Sequence, residues 1–201
     1  MKEILQYLFN HHTLSKSEAK AIMIEIAQNK FNATEVTAFI SIFLIRNITL
    51  PELEGFREAL LQMAVSLDLD ADDAIDVVGT GGDGKNTINI STLASFVIAG
   101  TGQKVIKHGN YGASTVTGAS NLLEELGYQF KISSEELNDH LQKTNICFLH
   151  APYFHPALKS VVALRKSLGL RTFFNLLGPL VNPATPKYSM IGTYNLEIAR
   201  I

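Results

Sequence analysis

In the first third of the chain, apolar residues recur at helical spacing; from residue 75 they gather into short continuous runs. Val36, Phe39, Ile40, Phe43 and Leu44 share one face of a segment opening near Thr34, the stripe a surface helix turns toward a core. Three segments begin with a capping signature: Ser15-x-x-Glu18, Asn32-x-x-Glu35 and Thr49-x-x-Glu52. Pro51 falls in a first turn, where its missing N–H does no harm. This pattern predicts a small helical domain over residues 1–70, ending at the acid-rich joint LDLDADD.

Beyond the joint, short apolar runs predict strands at 75–78, 104–107, 146–149 and 189–192. Helical spacing lies between them at 91–100, 118–126, 134–143 and 155–168. Strand–helix alternation predicts an α/β domain over 74–201, built on a mainly parallel sheet. In such sheets ligands gather at the carboxyl ends of the strands.

The stretch 76–92, DVVGTGGDGKNTINIST, stands at one such end. A strand, a loop holding Gly79, Gly81 and Gly82, and a helix starting near Ser91 would aim free backbone N–H groups at phosphate. Asp83 adds one acid, which suits a divalent cation between protein and phosphate. Two familiar phosphate motifs nearly fit. Gly79, Gly81 and Gly84 satisfy G-x-G-x-x-G, but the acid wanted about 20 residues further on is replaced by Gln103, Lys104 and Lys107. Residues 79–85 satisfy G-x-x-x-x-G-K, but Asn86 stands where Ser or Thr would hold magnesium. Taken locally, the glycines could equally make a tight turn, and Asn89, Ser91 and Thr92 could simply cap a helix.

Further motifs follow in order: NIST at 89–92, KHGN at 107–110, Ser114-Thr115, Arg165, and RTFFNLLGPLVNP at 171–183. With GTGGD at 79–83 they resemble the anthranilate phosphoribosyltransferase family along the whole chain. The resemblance implies transfer of phosphoribosyl from 5-phosphoribosyl 1-diphosphate to anthranilate, in tryptophan biosynthesis. It also implies a nucleoside phosphorylase-like fold, distinct from the common Rossmann-type phosphoribosyltransferase fold. Donor contacts would fall on Gly79, Gly81, Gly82, Asp83, Thr87, Asn89, Ile90, Ser91, Thr92, Lys107, His108, Gly109, Asn110, Ser114, Thr115 and Ala119. Anthranilate would meet Gly79, Asn110 and Arg165, whose planar fork suits a carboxylate. Ser91 would ligate Mg2+, with acidic ligands on segments beyond Ile201. Residues 156–185 would pack back on the helical domain, through which a homodimer would form. No residue is assigned a catalytic acid, base or nucleophile role; positioning and electrostatics suffice.

Three departures from the family pattern bear on that site: Tyr111 stands in place of an arginine, Val116 in place of a basic residue, and Gly118-Ala119-Ser120-Asn121 in place of Gly-Ser-Ala-Asp. Two fewer positive charges would weaken donor binding. The rival readings are a pyrimidine nucleoside phosphorylase-like enzyme and a non-catalytic relative that binds nucleic acid. A net charge of -2 argues against the second, because no basic field recruits phosphate backbones. The single cysteine, Cys147, cannot pair within the chain, which fits a reducing cytoplasm. The apolar runs are too short to span a bilayer, and no Cys/His cluster suggests zinc.

Overall fold

A computed structural model describes residues 1–81, 88–112 and 117–201. Four helices come first: α1 (Lys2–Phe9), α2 (Lys16–Ala27), α3 (Ala33–Ile45) and α4 (Leu50–Gln62). The capping boxes of α2 and α3 form in full. Ser15 and Asn32 accept from the Glu18 and Glu35 N–H groups, and those glutamates accept from the Ser15 and Asn32 N–H groups. At α4, Glu52 reaches back to both the N–H and the hydroxyl of Thr49. Glu52 is fully buried and also binds Arg46 at 2.6 Å and the Leu14 N–H at 3.0 Å, so one carboxylate ties three segments together.

On α3, Val36, Phe39, Ile40 and Phe43 are buried as their spacing predicts, but Leu44 is exposed and Ile42 is buried instead. The helix packs on more than one side, so a single stripe underestimates its buried surface. Helices α2 and α4 approach closely at Gly55, where a Cβ would meet Lys16 O at 2.3 Å.

The second region contains β1 (Ile75–Gly79), α5 (Ile90–Gly100), β2 (Val105–Gly109), α6 (Ala119–Glu125), α7 (Ser134–Thr144) and β3 (Ile146–His150). It continues with α8 (Ala151–Phe154), α9 (Lys159–Leu168), α10 (Phe174–Leu177), β4 (Tyr188–Gly192) and α11 (Leu196–Arg200). All pairings are parallel and the order is β3-β2-β1-β4. The carboxyl ends of all four strands therefore share one side. β4 is an edge strand and its five residues are exposed.

Two apolar cores result. One lies under the sheet around Ile106, Leu137, Leu141 and Leu149, with Cys147 buried among them. The other joins α1–α4 to Val161, Phe173, Phe174, Leu177 and Val181. Its centre is aromatic: Phe173 stacks on Phe56 at 4.8 Å and on Phe174 at 4.4 Å, and meets Phe43 edge-on. Arg57 adds a hydrogen bond to Leu180 O. Among the described residues no helix is long and apolar enough to cross a membrane.

Candidate functional site

The ends of β1 and β2 and the start of α5 form one side of the site. Gly79 pairs with Gly192, and the Thr80 N–H donates to Gly192 O at 2.9 Å. Gly81 has φ +65°, the left-handed region that favours glycine, and turns the chain out of the strand. Gly82, Asp83 and Thr87 lie outside the described residues, as do Ser114 and Thr115.

Asn89 occupies the N-cap position of α5, with its amide donating to Gly118 O at 3.4 Å. The first bond back along the helix runs from Leu93 N–H to Asn89 O, so the Ser91 and Thr92 N–H groups precede it. Ser91 is half-buried, Thr92 is buried and Ile90 is exposed. The helix start thus offers main-chain donors and one accessible hydroxyl.

On β2, Lys107 and His108 are both buried, against the usual habit of lysine. The Lys107 ammonium donates to Val77 O, and burial lowers its pKa to about 8 against the opposing charge of Asp76. Burial likewise pushes His108 down to about 3, keeping it neutral. His108 Nδ1 lies 3.2 Å from Gly178 O, while Nε2 is buried without a partner among the described residues.

The turn that follows is clasped by α6. Asn110 is exposed, and its carbonyl accepts from the Ser120 N–H at 3.2 Å. Asn121 Oδ1 accepts from the N–H groups of both Gly112 and Gly118, at 3.0 and 2.9 Å. The amide oxygen of Asn121 serves as that acceptor where the resembled pattern has aspartate. Gly109 is covered by the Phe148 ring and the Ala119 methyl. Tyr111 donates to Glu124 at 2.5 Å and packs edge-on against His150, which stacks on Phe130 and bonds Ser120. An aromatic cluster therefore surrounds Tyr111.

Across the cleft, Asn175 Oδ1 accepts from Arg165 Nη2 at 3.3 Å and from the Thr172 N–H at 3.1 Å. Arg165 also lies over the Phe174 ring. Its Nε is buried without a partner among the described residues, as is the Thr172 hydroxyl. Burial lowers the Arg165 pKa, with no carboxylate among the described residues counteracting it. Asn175 and Thr172, with Thr80, Gly81, Phe43 and Arg171, line a cleft of about 140 Å³ between the helical bundle and the end of β1.

Sequence reasoning quoted the motifs that hold Asp76, Asn121, Thr172, Asn175 and Asn182 but assigned none of these residues a contact at the site. Asp76 and Asn182 carried a signal, each being a lone polar residue in an apolar run, IDVV and LVNP.

Among the described residues no group of three His, Cys, Asp or Glu side chains could hold a metal. The magnesium ligand predicted among them, Ser91, is a single hydroxyl. Mg2+ needs carboxylate or phosphate oxygens besides. These residues do not make a magnesium site on their own, and no catalytic step is assigned to the ion.

A helical bundle is set against the carboxyl ends of a parallel sheet, and the cleft between them is lined by Thr80 and Gly81 on the sheet side and by Arg171, Thr172 and Asn175 on the other. The chain belongs to the glycosyl transferase family: its a/b domain matches residues 71–201 and its helical bundle domain residues 2–64. It is 55% identical over all 201 residues to the anthranilate phosphoribosyltransferase of Cytophaga hutchinsonii and 54% identical to that of Bacteroides fragilis. The family resemblance carried by the sequence motifs is borne out. The chain spans 61% of the length of those relatives. Among solved structures it is similar to the anthranilate phosphoribosyltransferase of Thermus thermophilus, with TM-score 0.87 and 34% identity over 96% of this chain and 59% of that one. The Saccharomyces cerevisiae enzyme in complex with PRPP and Mg superposes with TM-score 0.83 and 31% identity, over 93% of this chain and 56% of that one.

Proposed function

We propose that this chain transfers the phosphoribosyl group of 5-phosphoribosyl 1-diphosphate to the amine of anthranilate, releasing diphosphate. The observation that carries the reading is Arg165, a half-buried guanidinium that no described carboxylate neutralises. A half-buried cation without a counter-ion among the described residues is costly, and an anionic ligand would relieve that cost. The anthranilate carboxylate matches it in charge and in fork geometry.

The reaction forms one bond, from the anthranilate nitrogen to the anomeric carbon. It breaks another, from that carbon to the diphosphate oxygen, and the amine gives up a proton. Negative charge grows on the leaving group, facing the Ser91 and Thr92 N–H groups and the glycine loop. His108 is buried and neutral, which keeps it out of proton transfer and in a structural role. Catalysis rests on alignment and on water exclusion between bundle and sheet. Residues 1–70 form the helical domain and 74–201 the donor domain, with 156–185 packed back on the bundle; the Phe173–Phe56 stack supports that division.

The working assembly is a cytoplasmic homodimer joined through the helical domain. Ile45 and Phe9, exposed at 90% and 61% on α3 and α1, support that surface. Mg2+ accompanies the donor, a reading supported by the yeast relative bound to PRPP and Mg.

Calorimetric titration with 5-phosphoribosyl 1-diphosphate, with and without Mg2+, and then with anthranilate, tests the reading. Arg165→Ala is expected to weaken anthranilate binding by about 2 kcal/mol or more while sparing the donor. Unchanged anthranilate affinity in that variant refutes the assignment. Phosphate-dependent cleavage of a pyrimidine nucleoside would favour the phosphorylase reading instead.

A further inference from the structure

The ladder between β1 and β2 starts normally and then stops. β1 pairs with β4, and β2 with β3, along five residues each, whereas β1 and β2 are in register at Ile75↔Val105 alone. There the Ile75 N–H donates to Lys104 O at 2.9 Å. Continuing that register would join the Val77 N–H to Ile106 O and the His108 N–H to Val77 O.

Three of these four main-chain groups, the His108 N–H, Ile106 O and Val77 O, are instead held by side chains. Asp76 Oδ1 accepts from the His108 N–H at 3.3 Å. Ile106 O accepts from Asn182 Nδ2 at 2.9 Å, and Val77 O accepts from the Lys107 ammonium. Asn182 closes the circuit by donating to Asp76 Oδ2, also at 2.9 Å. Asp76 is wholly buried, and Asn182 and Lys107 nearly so.

We infer that Asp76 is a positioning residue. Its carboxylate wedges the carboxyl halves of β1 and β2 apart and sets where Lys107 and the 107–110 turn stand relative to the glycine loop. An apolar residue here would let the ladder close and bring the two loops together. Asn182 and the contacts of His108 with Gly178 and of His155 with Val181 pin the 178–182 loop to the same wedge. That the parted strand ends receive the phosphoribosyl donor rests on the proposed function; the wedge itself does not.

The wedge also sets the charge of the gap. Burial raises Asp76 to about 6 and lowers Lys107 to about 8, so near neutrality both are ionised and each is the other's counter-ion. Among the described residues, the other titratable groups facing them are His108 on β2, with His155 after α8 and His150 on β3 behind it. All three are pushed toward the neutral form by burial.

The test is NMR of the whole chain carrying 13C-labelled lysine, paired with calorimetry using 5-phosphoribosyl 1-diphosphate. In the unmodified chain the Lys107 Cε resonance is expected to titrate near 8. In Asp76→Asn it should titrate about one unit lower or further, because the counter-ion is gone. The variant's donor Kd should rise about tenfold or more. A Lys107 that titrates near its ordinary value of 10.5 in the unmodified chain overturns the inference. So does an Asp76→Asn chain with the same lysine titration and the same donor affinity. If Asp76→Asn fails to fold, the titration in the unmodified chain still decides. Failure of the unmodified chain to bind donor, with Lys107 titrating as stated, overturns the proposed function and leaves the wedge standing.

Discussion

Substituting Gly118 by alanine separates a positioning defect from a folding defect. Gly118 caps α6 with ordinary extended backbone, so alanine meets no torsional strain there. Space is the obstacle. An added Cβ would sit 2.4 Å from Gly112 N, 2.5 Å from Tyr111 C and 2.6 Å from Asn110 O, all main-chain atoms that cannot rotate away. Reaching ordinary contact at 3.4 Å requires the 110–112 turn to recede by about 1 Å. Overpacking of this kind costs about 1–3 kcal/mol of stability. A misplacement of about 1 Å at a reacting centre can lower turnover by about 100-fold. The assay is kcat for anthranilate consumption alongside thermal melting, with amide exchange at Tyr111 and Gly112 as a readout independent of activity. Gly100→Ala is the control: its Cβ meets nothing within 4 Å at the end of α5, so melting should hold or rise slightly. Gly118→Ala with turnover within twofold of the unmodified chain and unaltered exchange at the turn would refute the clasp.

Arg46→Ala should destabilise the helical bundle by about 3 kcal/mol in chemical denaturation, because it strands the fully buried Glu52 carboxylate; a loss below about 1 kcal/mol would mean that the Thr49 and Leu14 N–H groups suffice. Stability should fall as pH drops from 7 to 5. His108 is neutral when folded, with a pKa of about 3, and protonates near 6.5 when unfolded, so its contribution is present above 6.5 and lost below. That amounts to about 2 kcal/mol at pH 5, with Asp76 offsetting about 1 kcal/mol because its raised carboxyl gains a proton over the same range. Denaturant midpoints that are flat or rising toward pH 5 would contradict the buried neutral histidine. Ile45→Glu should shift a dimer toward monomer in sedimentation without lowering helicity, and an unchanged sedimentation coefficient would remove α3 from the interface.

Much of the architecture was legible because each element carries its own boundary chemistry. The capping residues Ser15, Asn32 and Thr49 begin their helices where spacing predicts, and the run at 75–78 became β1 with one further residue. Leu44 misled because periodicity counts apolar positions on a helix without knowing how many neighbours surround it. At the site, the glycine turn and the start of α5 were readable from local pattern. The burial of Lys107 and His108 was not, since KHG at the end of a strand reads as a solvated turn until β1 and the 178–182 loop enclose it.

The sequence alone therefore determined the succession of helices and strands, the parallel sheet, and the loops that stand at its carboxyl edge. Capping, turn preference and hydrophobic period all act within a few residues of chain. The tertiary structure decided which polar side chains lie within reach of one another. Asp76, Lys107 and Asn182 are separated by up to 106 positions, and they meet only because the strand order and the returning 178–182 loop bring them together. Burial is a property of that assembled surface, so the charge state of Lys107 and the neutrality of His108 follow from the fold and not from the residues beside them.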